Sequence, residues 1–372
     1  MNFKISKRVF YSALNTVARA ISANSPLPAL SGIKIEVQSD SIILTGSDSD
    51  ISVQTTLCSN DETNLIVKET GSIVIEAKYI LEIVRKIDAD EIEMEIVDGS
   101  LTRISGMSAE FRINGMRALD YPAIDFSKPG QQFEIDADLL VKIINQTTFA
   151  TSDRETGPVL TGVNMKCNGN KLECVATDSY RLARKIVDLP GENNFNITIP
   201  AKSLNEVSKT IIQDGKVLIA VSDKKAQFWI DNTVIQTRLI EGAYPETARL
   251  IPTEFPHQLT VDSRDILSAI DRASFIKNEG ISIVKCSANS EEVVISSKSQ
   301  EVGSSIESLN VISYEGSPLE ISFSGKYVYE AIRVLSATTI KIMFSGEMKP
   351  FIIYNTADDS ILQLVLPVRT YS

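Results

Sequence analysis

The 372-residue chain has little of what most catalytic chemistry rests on. It carries one histidine, His257, directly after Pro256. With a single imidazole, no Ser-His-Asp or Cys-His arrangement is proposed, and a surface or linker histidine is the expectation. The four cysteines, Cys58, Cys167, Cys174 and Cys286, include no CxxC pair, so a cysteine zinc site has no support. Cys167 and Cys174 flank the turn "NGNK", where a cross-strand disulfide is conceivable, although free thiols are the ordinary state in a reducing cytosol. There is no GxGxxG and no GxxxxGK[ST], which removes the usual nucleotide cradles. Acidic residues fall one at a time in turns such as "GSDSD" and "NTADDS", so neither a metal nor any other cofactor is expected. No apolar run nears the roughly 18 residues of a spanning helix. The opening "MNFKISKRVFYSALNTVARAI" spaces its apolar residues among basic ones, unlike a signal peptide. A cytoplasmic protein without membrane contact is the expectation.

What the chain does have is repetition. "FKISKRVFYSALNTVARAI" from Phe3, "FEIDADLLVKIINQTTFAT" from Phe133 and "LTVDSRDILSAIDRASFIK" from Leu259 begin 130 and 126 residues apart. Each places a short alternating strand ahead of a helix of period 3.6. Ser6, Asp138 and Ser263 stand where N-caps would. A second theme recurs once per repeat, in "SIVIEAKYILEIVRKI", "FNITIPAKSLNEVSKTII" and "LEISFSGKYVYEAIRVL". Every helix is followed by alternating segments broken at "SD", "NGN" or "DN", the grammar of hairpins. The reading is an α+β fold of three similar domains, 1–125, 130–250 and 256–372. Each is built of two β-α-β-β-β half-units with antiparallel sheets rather than a doubly wound nucleotide fold. The linkers, Tyr121 to Gln132 and Tyr244 to Gln258, both open on Tyr-Pro.

The charge is sorted along the chain. The net charge is −11. The six expected helices, 7–20, 78–86, 139–150, 201–211, 264–277 and 325–334, hold 14 Lys and Arg against 5 Asp and Glu, and the remainder is strongly acidic. Equivalent helices on one surface would make it positive and attract a phosphate backbone without sequence readout. The acidic remainder would repel nucleic acid from other faces. The C-terminal "SILQLVLPVRTYS" is a strand interrupted by Pro367, which cannot donate to a ladder.

With these features the whole chain resembles the bacterial DNA polymerase III beta subunit family, the DNA sliding clamps. The signatures are "ATDSYRLA" from Ala176, "EGAYPETARLIP" from Glu241, "LPVRTY" from Leu366 and "SPLPALSGI" from Ser25. The resemblance implies a clamp fold with helices lining a central hole and sheets outside. It implies a head-to-tail homodimeric ring around duplex DNA and a processivity role without catalysis. Its implied partners are the replicative polymerase alpha subunit, a clamp loader and other proteins carrying a clamp-binding motif. Topological linkage and tethering raise the effective concentration of the polymerase on DNA.

The resemblance also implies a peptide pocket. Its residues here would be Leu160, Thr177, Ser179, Tyr180, Arg181 and Leu182; Pro245, Arg249 and Leu250; Ser324, Tyr327, Met348 and Pro350; and Leu364, Leu366, Pro367, Val368 and Arg369. Aliphatic walls would take leucine or phenylalanine anchors, and Arg181, Arg249 and Arg369 would orient polar groups at the rim. Many relatives have histidine in place of Tyr180 and methionine in place of Leu366 and Val368, which bears on partner preference. The ring interface would set Phe111 and Ile113 against Phe275 and Ile276, with Arg272 and Lys277 facing acidic partners. Lys78, Arg154 and Lys202 would face DNA; Asn24 stands where some relatives are basic. The competing readings are an enzyme on a repeated scaffold, which lacks a convergent acid-base cluster, and a repeated α+β interaction protein that does not encircle DNA.

Overall fold

The computed structural model describes residues 1–22, 25–154, 157–212, 214–277 and 280–369. Among them are six α-helices: α1 (Lys7–Ala18), α2 (Ala77–Lys86), α3 (Ala137–Thr147), α4 (Ala201–Thr210), α5 (Ser263–Ser274) and α6 (Gly325–Arg333). Each follows a strand with no intervening loop, as the repeated strand-helix pattern predicts. The strands form four antiparallel sheets, and the chain divides into two compact units, 1–137 with 206–239 and 138–205 with 240–372.

The first unit holds a five-stranded sheet in the order Ile66–Glu69, Asn2–Ser6, Glu91–Asp98, Leu101–Gly106, Ala109–Asn114. Its eight-stranded sheet runs Gln131–Asp136, Lys216–Val221, Lys225–Ile230, Thr233–Arg238, Ile51–Cys58, Ser41–Ser47, Gly32–Val37, Gly71–Glu76. Four of those strands come from the first sequence repeat and four from the second. They are joined where Thr233–Thr237 pairs with Ile51–Thr55. The second unit repeats this device. Its seven-stranded sheet joins the repeats where Arg181–Lys185 pairs with Ile361–Val365. Its four-stranded sheet runs Gly303–Leu309, Val293–Ser299, Ile283–Ala288, Leu319–Ser324. The compact units therefore cut through the middle sequence repeat, because backbone pairing binds its two halves to different neighbours.

Alternation by two sorts the strands into a helix-facing and an outer face. Phe3 and Ile5 are fully buried, and the Phe3 ring meets Phe10 of α1 edge-on at 5.7 Å. In the second unit Phe351 packs between Phe323 and Phe344, at 5.7 and 5.3 Å between ring centroids.

Several local expectations are corrected. His257 is buried, not a surface or linker residue. It opens the strand His257–Asp262, with Nδ1 3.1 Å from the Tyr314 hydroxyl and 3.1 Å from the Ser317 carbonyl oxygen. The cap of α5 is Asp262, whose carboxylate accepts from the Arg264 N–H at 2.8 Å; Ser263 instead donates to the Ala337 carbonyl. Asp138 lies within the first turn of α3, whereas Ser6 does stand at the N-cap of α1 as expected, though without a side-chain cap bond. All four cysteines are free, and burial raises the Cys174 thiol far above its ordinary range. The expected "NGNK" turn is absent: Gly162–Thr177 is one strand through it, with a register irregularity between Gly169 and Lys171 and Gly169 at φ 67°, so Cys167 and Cys174 share a strand rather than facing each other across a hairpin. Asn24 lies outside the described residues.

α1 approaches its sheet closely at Gly46, where a Cβ would stand 2.3 Å from the Val17 carbonyl oxygen. Gly46→Ala is therefore expected to destabilise the first unit by about 1–3 kcal/mol, read as a lower urea midpoint.

Candidate functional site

The segment "ATDSYRL" makes a tight reversal in the second unit. Thr177 Oγ1 donates to the Arg181 carbonyl oxygen (2.6 Å) and accepts from the Ser179 N–H (3.1 Å). Asp178 Oδ1 accepts from the N–H groups of Tyr180 (2.9 Å) and Arg181 (3.0 Å). These bonds hold Ser179 at φ 76°, a conformation that costs energy for a residue with a Cβ. The chain then enters the inter-repeat pairing, with Leu182 opposite Leu364 and Arg181 opposite Val365.

Because neighbouring strand residues point to opposite faces, Leu182 and Arg181 part company. Leu182 joins Val175, Ile352 and Leu364 in a small buried apolar cluster on the outer face. Tyr244, Ile251, Phe255, Met343 and Leu366 pack partly buried around it. The Tyr244 hydroxyl accepts from the Thr177 N–H at 3.1 Å, and burial raises its phenol well above the ordinary range. This anchors the second Tyr-Pro linker to the reversal.

Arg181 goes to the helix face, and the expectation that it stands at a rim is corrected. It is 7% exposed, ion-paired to Asp178 at 3.0 Å and to Glu330 of α6, and stacked on the rings of Tyr327 (4.5 Å) and Phe149 (5.2 Å). Burial, then the Asp178 charge, raise the Tyr327 phenol. Ser324 is the N-cap of α6 and accepts from the Tyr327 N–H at 3.5 Å. Arg181, Ser324 and Tyr327 thus tie the reversal to α6 rather than lining the apolar wall with Leu182.

The tail completes the outer face. The strand Asp358–Val365 ends one residue before Leu366, whose N–H donates to the Tyr180 carbonyl oxygen at 2.9 Å. Pro367 has no N–H, and the Val368 N–H donates to the Ser322 carbonyl oxygen at 2.7 Å. Leu366, Pro367 and Val368 are half-exposed and Arg369 is exposed. Tyr180, Pro245, Arg249, Leu250 and Met348 are exposed as well, and Leu160 and Pro350 half-exposed. Arg249 makes a loose pair with Glu246 at 3.4 Å, which suits a rim group.

The other expected residues occupy edges and helix surfaces. Phe111 and Ile113 are half-exposed on the edge strand Ala109–Asn114. Phe275 is 82% exposed just beyond α5, and Ile276 is half-exposed. Arg272, expected to await an acidic partner, already donates from Nε and Nη2, one edge of its guanidinium, to the two carboxylate oxygens of Glu307. Sequence reasoning missed the edge strand Gly303–Leu309 that carries Glu307 and the exposed Ile306. Its "GSSIESL" alternates like any outer strand, so nothing local marks it as an edge.

Lys78 is exposed and pairs with Glu76 at 2.7 Å; that bond raises its pKa. Arg154 and Lys202 are exposed in the second unit. Also missed was a groove of about 410 Å³ in the first unit, between α1 and the end of α4, where Arg8, Arg19 and Lys209 stand beside Tyr11, Asn15 and Ile212. Arg8 pairs with Glu62 in full exposure, a contact that contributes little, and Lys209 pairs with the more buried Glu206. The helical sorting of basic residues was the signal available for it.

Arg181→Met leaves Asp178 and Glu330 without their cation, an expected cost of about 3–5 kcal/mol in urea unfolding. Adding Asp178→Asn and Glu330→Gln should restore most of that loss, since no buried charge is then left unpaired.

The chain matches three family models in succession: the N-terminal domain of the DNA polymerase III beta subunit over residues 1–125, the central domain over 134–246 and the C-terminal domain over 248–369. It is 40% identical to the beta sliding clamp of Bacillus subtilis and 38% identical to that of Staphylococcus epidermidis, each over the full length of both chains. The crystal structure of the Bacillus subtilis DNA polymerase sliding clamp superposes with a TM-score of 0.96 at 39% identity, covering all of both chains. The Streptococcus pyogenes beta subunit gives 0.94 at 31%, again over all of both chains. The chain therefore belongs to the DNA polymerase III beta-subunit family, with that family's three-domain antiparallel clamp fold: it is a sliding clamp, a non-catalytic processivity factor of bacterial DNA replication.

Proposed function

We propose that two copies of this chain close head to tail around duplex DNA in the cytoplasm, and that each offers partners one apolar pocket. The domains of this reading are 1–125, 130–250 and 256–372. The partners are the polymerase alpha subunit, the clamp loader and other proteins carrying a clamp-binding motif. The observation that carries the pocket is the outer-face cluster of Val175, Leu182, Ile352 and Leu364, left half-covered by the linker and the tail. An apolar floor beside exposed Tyr180, Leu250 and Met348 suits leucine or phenylalanine side chains of an extended peptide. Arg249 and Arg369 would meet its polar groups. Tyr180, Leu366 and Val368 give the wall a different shape from a histidine-methionine version and would tune partner choice. There is precedent for a ligand on a relative: the Bartonella birtlesii clamp was solved bound to griselimycin.

Ring closure is supported by two unlike free edges. Ala109–Asn114 and Gly303–Leu309 each end a sheet, and unpaired edges invite pairing with another chain. Apolar residues stand beside both edges, Phe111 and Ile113 at one and Phe275, Ile276 and Ile306 at the other. A heterologous contact of this kind closes into a ring when the rotation permits. Exposed basic residues, Lys78 of α2, Lys202 of α4 and Arg154 in the loop beyond α3, would hold DNA by charge alone.

Deleting residues 366–372 should weaken binding of a leucine-anchored peptide by about 100-fold, or about 2.7 kcal/mol, in fluorescence anisotropy. Unchanged affinity would remove the tail from the pocket. Ile276→Asp should convert a dimer into a monomer by light scattering, and a persisting dimer would move the interface elsewhere.

A further inference from the structure

The two inter-repeat junctions are built on one backbone plan, and only the second has an apolar floor. In the first unit, "GSDSDIS" makes the same reversal as "ATDSYRL". Ser47 Oγ donates to the Ile51 carbonyl oxygen (3.1 Å) and accepts from the Ser49 N–H (3.1 Å). Asp48 Oδ1 accepts from the N–H groups of Asp50 (3.1 Å) and Ile51 (2.9 Å). Ser49 stands at φ 82°, where Ser179 stands at 76°. The Arg238 N–H donates to the Asp50 carbonyl oxygen at 2.9 Å, as the Leu366 N–H does to Tyr180. Tyr121-Pro122 opens the first linker as Tyr244-Pro245 opens the second.

Sheet register then fixes which residues correspond. Ser52 pairs with Gln236, Gln236 with Gln227 and Gln227 with Ala220. At the second junction the same positions are Leu182, Leu364, Ile352 and Met343. Arg238 takes the place of Leu366. Three of the four apolar positions have become one hydroxyl and two amides, with Ala220 at the fourth, and the polar groups bond one another: Ser47 and Ser52 share a 2.8 Å bond, and Gln227 Nε2 donates to Gln236 Oε1 at 2.7 Å.

A groove of about 500 Å³ lies over the Ser52–Gln236 end of this row, with Ser47 and Ser49 also on its floor. Pro122, Ala123 and Ile124 form one wall; Asp50, Lys224 and Arg238 bring charge of both signs to the mouth. Hydroxyl and amide groups that satisfy one another on a floor repel an apolar anchor, which would bury them without replacement bonds. They accept polar side chains readily, and mixed charge favours a ligand that also carries both signs.

We propose that this groove is a second polypeptide-docking site, taking an extended segment with hydrophilic side chains of both charges. The proposal rests on reading the second junction as a peptide pocket, since the shared backbone plan is what suggests a peptide here.

The test is affinity selection on the full-length protein with two pools of nine-residue peptides. One pool is restricted to Asp, Lys, Ser, Asn, Gln and Gly; the other also contains Leu and Phe. Enriched peptides are then titrated by fluorescence anisotropy against Ala123→Trp, which fills the groove from its exposed wall, and against Lys224→Glu/Arg238→Glu. Leu366→Arg is the control at the second junction. Hydrophilic peptides should lose about tenfold or more in affinity with either groove variant and none with Leu366→Arg. Leucine peptides should show the reverse. Failure to enrich any hydrophilic peptide, or enrichment of peptides indifferent to both groove variants, overturns the proposal. Leucine peptides indifferent to Leu366→Arg would instead overturn the pocket at the second junction. Because the charge-reversal pair alters no buried residue, it decides the matter even where Ala123→Trp perturbs the linker.

Discussion

Backbone pairing across the repeat boundaries is the constraint on which the rest of this structure depends. Five residues of Thr233–Arg238 pair with Ile51–Thr55, and five of Arg181–Lys185 with Ile361–Val365. Antiparallel ladders satisfy every inward backbone group, so each junction is as firm as the sheets it joins. The junctions also place a strand reversal, a Tyr-Pro linker and a departing strand side by side. A binding site at such a place needs no dedicated element; it needs only the right side chains on the outer face.

The second junction shows how one strand serves two purposes. Leu182 contributes to the outer apolar cluster, while its neighbour Arg181 is clamped between Asp178, Glu330 and two aromatic rings on the helix side. Buried ion pairs add little net stability against an apolar alternative but strongly favour one geometry. Here the fixed geometry is the orientation of the "TDSYR" reversal over α6, so the pocket wall is set from behind. The tail is fixed from the front, by alternate N–H groups on either side of Pro367.

Much of this was legible in the sequence because periodicity is. The strand-helix theme, the antiparallel hairpins and the Tyr-Pro linkers all follow from patterns of two and 3.6, and the signatures "ATDSYRLA" and "LPVRTY" carry the family. What was not legible depends on long-range pairing. Arg181 reads as a rim arginine until the register with Val365 assigns its face. His257 reads as a linker residue until its strand pairs with Thr339–Phe344 and covers the ring. Asp262 outcompetes Ser263 as a cap by one position, which periodicity cannot resolve. The likeness of the two junctions was hidden because Ser52, Gln227 and Gln236 share no chemistry with Leu182, Ile352 and Leu364; only hydrogen bonds and register reveal it.

The proposed hold of this chain on DNA is topological rather than a matter of tight contact. The most direct measurement loads the protein onto nicked circular duplex, isolates the complex by gel filtration and then cuts the circle with a restriction enzyme. Retention on the closed circle is expected, including at salt that removes charge-driven binding, with release on linearisation. Equal retention on circular and linear DNA, or loss from the closed circle, would contradict it.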